Sequence, residues 1–178
     1  MSDIKMIEEV LPGVALLQCP RYADVRGDFT KLYHTDSMSS LGFPFEPAES
    51  FMTRSKAGVI RGMHFQVDKA AHDKLIFCPK GRVLDVVVDV RPKSPQFKKP
   101  IALELSEDDN LALLIGKGYA HGFLSIDEDS WMMYATTTVH NPSLDRGVLW
   151  SSIDFEWPIS APIVSERDQC HPAIGSQI

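Results

Sequence analysis

The chain has 178 residues, of which 44% are hydrophobic and 24% are charged, a composition typical of a globular protein with a sizeable core. The formal net charge of −6 disfavours general binding to nucleic acids or anionic membranes, although a local basic pocket could hold a small anion. The three cysteines are widely spaced and form no Cys-x-x-Cys pair, which argues against a disulfide framework or a zinc knot and fits a reducing compartment.

The first segment, Met1 to Val10, contains Asp3, Glu8 and Glu9 and lacks a basic region followed by an apolar run, so no signal peptide is predicted. No stretch approaches the ~18 apolar residues of a membrane span. We therefore expect a cytoplasmic protein without membrane partners. The sequence shows no linker, repeat or low-complexity tract, and residues 1–178 are predicted to form a single domain.

Short β-type segments separated by turn signals follow one another along the chain. The predicted strands are Val14–Gln18, Phe29–His34, Phe51–Arg54, Val59–Gln66, Lys74–Cys78, Leu84–Val90, Ile101–Leu105, Leu111–Ile115, Gly122–Ile126 and Trp131–Thr138. One short helix is predicted around Asp36–Leu41, with Thr35 or Asp36 as its N-cap. The tail after Trp157 is predicted to form loops and short helical turns. Because no helices alternate with the strands, the pattern favours an antiparallel sandwich or barrel.

The most informative segment is Gly58–Gln66, which reads Gly-Val-Ile-Arg-Gly-Met-His-Phe-Gln. Alternation along a strand places Gly62, His64 and Gln66 on one face. Gly62 leaves room for a close approach to the backbone beside the histidine. A histidine near Arg61 suits proton chemistry on an anionic substrate, while a structural histidine is the alternative interpretation.

Two further segments carry candidate polar groups. His121 lies among glycines at the start of a predicted strand, and Met132 and Tyr134 share one face of the next. A loop-stabilising role for His121 and a core role for Tyr134, with its hydroxyl hydrogen-bonded, are the structural alternatives. Polar residues scattered in sequence are expected when a sandwich gathers side chains from many strands around one cavity.

Taken in order, a series of short motifs resembles the dTDP-4-dehydrorhamnose 3,5-epimerase family from about Val14 to Asp168. The motifs are Arg26-Gly27-x-Phe29, Val59-Ile60-Arg61-Gly62-Met63-His64-Phe65-Gln66, Lys74-Leu75, Gly81-x-Val83-x-Asp85-Val86-x-Val88-Asp89-x-Arg91-x-x-Ser94-Pro95, Gly118-x-Ala120-His121-Gly122-Phe123 and Trp157-Pro158. Each motif alone is weak, and their common order makes the resemblance specific.

The resemblance implies an all-β, cupin-type jelly roll with a few short helices, and a homodimer. It also implies an isomerase that acts on a nucleoside-diphosphate 4-keto-6-deoxyhexose without metal or organic cofactor. In that family the 4-keto group acidifies the hydrogens at C3 and C5. A base removes one of them, and a proton returns to the enolate from the opposite face.

The family's functional residues match positions throughout this chain. The resemblance implies that His64 is the base, that Asp168 orients it, that Tyr134 is the acid on the other face, and that Lys74 stabilises the enolate oxygen. It assigns a further set to substrate binding, namely Arg26, Phe29, Arg61, Gln66, His121 and Arg167.

Several positions depart from the family pattern. Lys31 replaces a common acidic residue, Glu49-Ser50-Phe51 stands where Gln-x-Asn is usual, Trp150-Ser151-Ser152 replaces Trp-Asn-Asp, and Asp145 replaces a glutamate. The catalytic set is intact, whereas these substrate-contacting positions differ. We therefore expect retained proton chemistry with another nucleotide, another 4-keto sugar, or epimerisation at one carbon only.

Three other interpretations remain open at this point. A metal-dependent cupin would need more ligands than His64 and His121, because His64-Phe65-Gln66 lacks the second histidine of a His-x-His pair. A non-catalytic sugar-nucleotide-binding protein would share the fold. A ketoisomerase usually has a pair of histidines near the active strand, and the spare His72 is predicted to be a solvated residue in the charged 68–74 loop.

Overall fold

The computed structural model describes residues 3–176, and nearly all its regular structure is β. The strands are β1 (Lys5–Leu11), β2 (Val14–Gln18), β3 (Arg21–Asp24), β4 (Gly27–Thr30), β5 (Glu49–Ser55), β6 (Ile60–Gln66), β7 (Lys74–Lys80), β8 (Arg82–Asp89), β9 (Pro100–Ser106), β10 (Leu111–Ile115), β11 (Tyr119–Ser125), β12 (Ser130–Thr136) and β13 (Asp145–Gly147). The helices are α1 (Thr35–Ser40) and α2 (Glu166–Gln169), with 3-10 turns at Asp68–Ala70 and Trp150–Ser152. Within this part of the chain, no helix is long and apolar enough to span a membrane.

Two antiparallel sheets form the body of the fold. One has six strands in the order β1-β2-β10-β7-β12-β5, and the other has five in the order β13-β6-β11-β8-β9. Strands β3 and β4 form a separate two-stranded hairpin. The predicted antiparallel sandwich is therefore confirmed.

The main core lies between the sheets. Ile76, Leu113 and Met132 from the six-stranded sheet pack with Val87 and Phe123 from the five-stranded sheet. Strand alternation explains why β8 is apolar on both sides: Val83 and Val87 face this core, whereas Val86 and Val88 face a second cluster that contains Trp157. Inward positions of both sheets are therefore the ones that can reach an internal cavity.

Helix α1 covers the outer face of the six-stranded sheet, where Met38 packs with Phe45 in a third cluster. His34 caps this helix, with its Nδ1 accepting a hydrogen bond of 3.4 Å from the Ser37 amide, so the predicted cap at Thr35 or Asp36 is wrong by one or two residues. The strand predicted to reach His34 ends instead at Thr30, because the chain then turns onto this outer face.

Strand β6 breaks its own alternation beside His64. His64 pairs with His121 and Arg61 pairs with Phe123, so three steps on β6 oppose two on β11. This irregularity places Arg61 in the same cavity as His64, which strict alternation would have put on opposite faces. The predicted close approach at Gly62 is made by β11: an added Cβ would lie 2.5 Å from the Cα of Gly122.

Replacing Gly62 by alanine is expected to destabilise the fold and to abolish activity. Its φ of +129° is unfavourable for a side chain, and the added methyl group would overlap the neighbouring strand. We expect a loss of roughly 2–5 kcal/mol in the free energy of unfolding. Gly27→Ala is the matched control, since Gly27 has φ +122° and open space around its Cα, and urea titration of both variants separates overlap from backbone strain. Equal losses would contradict the close-packing argument.

Candidate active site

A cavity of about 440 Å³ opens where polar side chains replace the apolar core between the sheets. The inward faces of β6, β7, β11 and β12 contribute to its wall, together with residues 165, 167 and 168 at the start of α2. Eight of the ten predicted site residues line it, namely Arg61, His64, Gln66, Lys74, His121, Tyr134, Arg167 and Asp168.

His64 and Asp168 form a hydrogen-bonded pair although they are far apart in sequence. The His64 Nε2 lies 2.7 Å from Asp168 Oδ1, and the Gly62 amide donates to Asp168 Oδ2 at 3.1 Å. Burial raises the pKa of Asp168, but the hydrogen bonds that its carboxylate accepts from His64 and from the Gly62 amide outweigh it and hold the pKa below its ordinary value. Asp168 is therefore an ionised acceptor near neutrality.

The ionised Asp168 fixes the tautomer of neutral His64. A carboxylate only accepts hydrogen bonds, so His64 Nε2 carries the hydrogen and donates it, which leaves the lone pair on Nδ1. The His64 side chain is 31% exposed and lines the cavity, whereas that of Asp168 is 5% exposed. This arrangement can accept a proton at Nδ1 and stabilise the resulting imidazolium through Asp168.

Lys74 enters the cavity from β7. Its Nζ donates a 2.9 Å hydrogen bond to the backbone carbonyl of His64, which holds the amine beside the histidine. Burial lowers the pKa of Lys74 to about 8, and the carboxylates of Asp145 and Asp85 partly oppose this shift. Lys74 therefore presents a buried cation at neutral pH, close to the candidate base.

Tyr134 lies on β12 and contacts two other aromatic rings. The Phe51 ring stacks on it with centroids 4.6 Å apart and planes 11° apart, and His121 approaches at 6.1 Å in an edge-on arrangement. Burial raises the pKa of Tyr134 well above its ordinary value. The phenol is therefore protonated across the neutral range and can donate a proton or a hydrogen bond.

His121 has a carboxylate partner that the sequence analysis did not assign. Its Nε2 lies 2.7 Å from Asp85 Oδ2, and both side chains are almost fully buried. Asp85 shares the inward face of β8 with Val83 and Val87. A charged residue at a core-facing position of an apolar strand was the available signal, because buried carboxylates need a partner.

The prediction that His72 is solvated is wrong. Its side chain lines the cavity, and Gln66 Nε2 donates to its Nδ1 at 3.0 Å. Burial, followed by the charge of Lys74, lowers the pKa of His72 to about 4, so this imidazole is neutral at neutral pH. The Gln66 amide is also held by the chain itself, since its oxygen accepts a 2.6 Å hydrogen bond from the Asn141 amide.

Several charged side chains line the cavity wall. Asp145 Oδ2 accepts one hydrogen bond from Arg167 at 2.6 Å and pairs with His140 Nε2 at 3.1 Å. Arg61 donates to the Ser55 hydroxyl at 2.9 Å. The two arginines leave cationic surface at the cavity, which suits the phosphate oxygens of an anionic substrate.

Arg26 and Phe29 do not line this cavity. Arg26 lies at the turn of the β3–β4 hairpin and pairs with Asp24, and its side chain is 85% exposed. Phe29 follows on β4 and is 56% exposed. The structure therefore separates these two predicted substrate-binding residues from the other eight within one chain.

Within residues 3–176, one group of three side chains offers metal-ligating atoms close together: His64, Asp168 and His171, all within 4.8 Å of one another. It differs from the pair that the sequence offered for a metal-dependent cupin, because His64 and His121 each bind their own carboxylate. No sequence motif had assigned His171.

Comparison of the sequence with known proteins gives matches over most of the chain. A sequence model of the family described as dTDP-4-dehydrorhamnose 3,5-epimerase matches residues 8–176. The Escherichia coli enzyme of that name is 35% identical over 93% of this chain and 92% of its own length. A dTDP-4-dehydrorhamnose 3-epimerase from Streptomyces niveus is 32% identical over 89% of this chain and 78% of its own.

The fold agrees equally well. The crystal structure of dTDP-4-dehydrorhamnose 3,5-epimerase from Bacillus anthracis, with TDP and PPi bound, has a TM-score of 0.92 and 35% identity, and the match covers 96% of this chain and 99% of that one. The sandwich is thus the cupin-like jelly roll of these enzymes. The chain belongs to the dTDP-4-dehydrorhamnose 3,5-epimerase family.

Proposed function

We propose that this protein epimerises a nucleoside-diphosphate 4-keto-6-deoxyhexose by removing and returning a proton next to the keto group. The observation that carries the proposal is the His64–Asp168 pair in a cavity that also holds Lys74 and Tyr134. The similarity to enzymes named for this reaction supplies the substrate class. A cytoplasmic location is part of the proposal.

The first half of the reaction is assigned to His64. Its Nδ1 accepts the proton from the carbon, and the imidazolium that forms is stabilised by the Asp168 carboxylate. The electron pair of the broken C–H bond moves into an enolate, whose oxygen gains negative charge. The Lys74 cation, whose side chain is buried, stabilises that charge.

The second half is assigned to Tyr134. Inversion requires a second proton to be added to the face opposite to the one from which the first was removed, and a protonated phenol can supply it. The high pKa that burial gives Tyr134 keeps its proton available at neutral pH. The His64 imidazolium then releases its proton to solvent, the phenolate takes up a proton from solvent, and the keto sugar leaves with one stereocentre inverted.

The residues that line the cavity also support a substrate preference that differs from the family's usual one. Three positions that depart from the family pattern, Glu49, Phe51 and Asp145, all line it. Phe51 covers the candidate acid directly, and Glu49 accepts a 2.7 Å hydrogen bond from the His140 amide. We therefore propose that these residues determine which sugar or which carbon is processed, and a relative named as a 3-epimerase supports this.

Product analysis tests the proposed function. Purified protein is incubated separately with the dTDP-, CDP- and GDP-linked 4-keto-6-deoxyglucose, and products are identified by NMR. We expect at least one nucleotide to yield an epimer at C3, C5 or both. Efficient inversion of the dTDP substrate at both carbons would contradict a changed preference, while tight binding without inversion of any substrate would favour the non-catalytic alternative.

The rate of epimerisation is expected to fall in alkaline solution because Lys74 loses its proton. The amine must be charged to stabilise the enolate, and its pKa is about 8, so kcat/KM falls as the pH rises through that value. In Lys74→Arg the side chain stays charged, so the fall of kcat/KM near pH 8 should be absent even if the overall rate is lower. A pH–rate profile from about pH 6 to about pH 10 checks this. The same alkaline fall of kcat/KM in the variant would show that Lys74 does not cause it.

We also propose that the protein is a homodimer. Arg26 and Phe29 lie outside the cavity of their own chain, so their predicted substrate contacts require the hairpin to reach the cavity of a second copy. The exposed Val25 and Phe29 on this hairpin are apolar surface that such contact would cover. Light scattering after gel filtration measures the oligomeric state directly.

Mixing two inactive variants tests whether each site contains residues from both chains. His64→Asn removes the base, and a second variant carries Arg26→Ala and Phe29→Ala. In a random mixture half of the dimers are heterodimers, each with one complete site, so about one quarter of wild-type activity should return. Mixtures of His64→Asn with Asp168→Asn are the control, because both changes lie in one chain's cavity and no complete site forms. Equal recovery in both mixtures would contradict a shared site.

A further inference from the structure

His171 lies beside the candidate base His64 and has no role in the proposed reaction. Its Nε2 lies 3.6 Å from Asp168 Oδ1, beyond ordinary hydrogen-bond distance, and its ring meets the His64 ring edge-on at 5.6 Å. This nitrogen is buried and has no hydrogen-bond partner among the described residues. A buried polar atom without a partner is unfavourable in a folded protein, so this nitrogen is a candidate position for binding a ligand.

The His171 ring has room at this position because its neighbour on β13 is a glycine. Gly147 lies against the ring, where an added Cβ would overlap the imidazole. The absence of a side chain at Gly147 therefore makes room for His171.

Two histidines and one carboxylate form a ligand set common for transition metals. The Asp168 Oδ1 lies 2.7 Å from His64 Nε2, and all three ligand atoms fall within 4.8 Å. Tetrahedral zinc with ligand bonds of about 2.0–2.1 Å needs ligand atoms about 3.3 Å apart, so the His64–Asp168 separation must widen by about half an ångström. His64 lines the main cavity and His171 lines a second one beside it, which leaves space for exchangeable ligands.

We propose that His64, Asp168 and His171 form an inhibitory site for a divalent transition metal ion such as Zn²⁺. The ion binds His64 Nε2, Asp168 Oδ1 and His171 Nε2 and replaces the hydrogen bond between base and carboxylate. The site rests on geometry alone, and its consequence for turnover rests on the proposed function.

Binding would switch off the base by changing its tautomer. Neutral His64 carries one ring hydrogen, which Asp168 holds on Nε2. When the metal takes Nε2, that hydrogen is lost to solvent and Nδ1 gains one, so no net proton is released. Nδ1 then has no lone pair to accept a proton from the sugar, and Asp168 is engaged by the metal.

Metal titration of tag-free protein tests the site. Zn²⁺ binding is measured by calorimetry in the wild type and in His171→Asn, and Co²⁺ is used as a probe whose visible absorption reports histidine coordination. We expect one equivalent of Zn²⁺ in the wild type and an affinity more than about tenfold weaker in the variant. Two controls, Cys170→Ser and His140→Asn, remove nearby exposed ligands and should bind as the wild type does.

Inhibition provides the second measurement. Zn²⁺ should lower wild-type turnover, a chelator should restore it, and His171→Asn should need more than about ten times as much metal for the same fractional loss. Unchanged affinity in His171→Asn, or loss of binding in either control, would overturn the proposal. Zinc binding through His171 in a protein that processes no keto sugar would instead leave the site standing and refute the proposed function.

Discussion

Replacing His64 by asparagine is expected to lower epimerisation by about 10²–10⁴-fold, the typical contribution of a positioned acid or base. Asparagine retains a group that can donate to Asp168 but has no basic nitrogen for the sugar proton. Substrate affinity should change much less, because the arginines and Lys74 that face the anionic substrate remain. Steady-state turnover and calorimetric titration of the nucleoside diphosphate separate these two effects.

His34→Asn is the matched control for this substitution. His34 caps α1 on the outer face of the sandwich, and asparagine is a favourable N-cap residue, so stability and turnover should both be retained. If His64→Asn kept a turnover similar to that of His34→Asn, His64 could not be the base and the account of the reaction would be wrong.

Replacing Tyr134 by phenylalanine is expected to separate proton removal from inversion. The His64–Asp168 pair is untouched, so the variant should still exchange the sugar hydrogen with solvent on the face that His64 reaches. Delivery from the other face should be lost, and epimer formation should fall by about 10²–10⁴-fold. Deuterium incorporation and product stereochemistry, followed in the same sample, measure the two steps independently.

Tyr33→Phe is the corresponding control. Its hydroxyl donates a 2.6 Å hydrogen bond to the Phe45 carbonyl, away from the cavity, so its removal should affect stability but leave the ratio of exchange to epimerisation unchanged. Equal epimer formation by Tyr134→Phe and the wild type would exclude Tyr134 as the acid. In that case a single base serving both faces would be favoured.

Much of the sandwich could be predicted because its strands are short apolar runs between clear turn signals. Strands β2 and β10 begin and end at the predicted residues, and β7 begins at Lys74 as predicted. Strand β1 was not predicted. Its side chains are mostly exposed and include Glu8 and Glu9, and it is held in the sheet by backbone pairing with β2, which leaves little apolar pattern.

The site residues that belong to a family motif could be predicted, whereas contacts that form only in the tertiary structure could not. The resemblance implied a contact between His64 and Asp168, and the structure contains it, while their catalytic roles remain predictions. The irregularity at Gly62, the burial of His72 and the pairing of Asp85 with His121 depend on strands that meet only in the folded protein. Local sequence patterns carry no direct record of such contacts.

The separation of Arg26 and Phe29 from the cavity has a similar origin. Their motif matches the family, but a motif does not specify which copy of the chain a hairpin serves. Arg26 and Phe29 are exposed on the hairpin, and the activity of mixed dimers tests whether they contribute to the cavity of a second copy.

Proton NMR of dTDP-4-keto-6-deoxyglucose with the protein in D₂O tests the central claim most directly. The signals of the hydrogens at C3 and C5 are followed separately, in the wild type and in His64→Asn. The account predicts loss of signal at one or both carbons with the wild type and a rate lower by about 10²–10⁴-fold in the variant. Absence of exchange with this sugar and with its CDP- and GDP-linked counterparts, or equal exchange in both proteins, would contradict proton abstraction by His64.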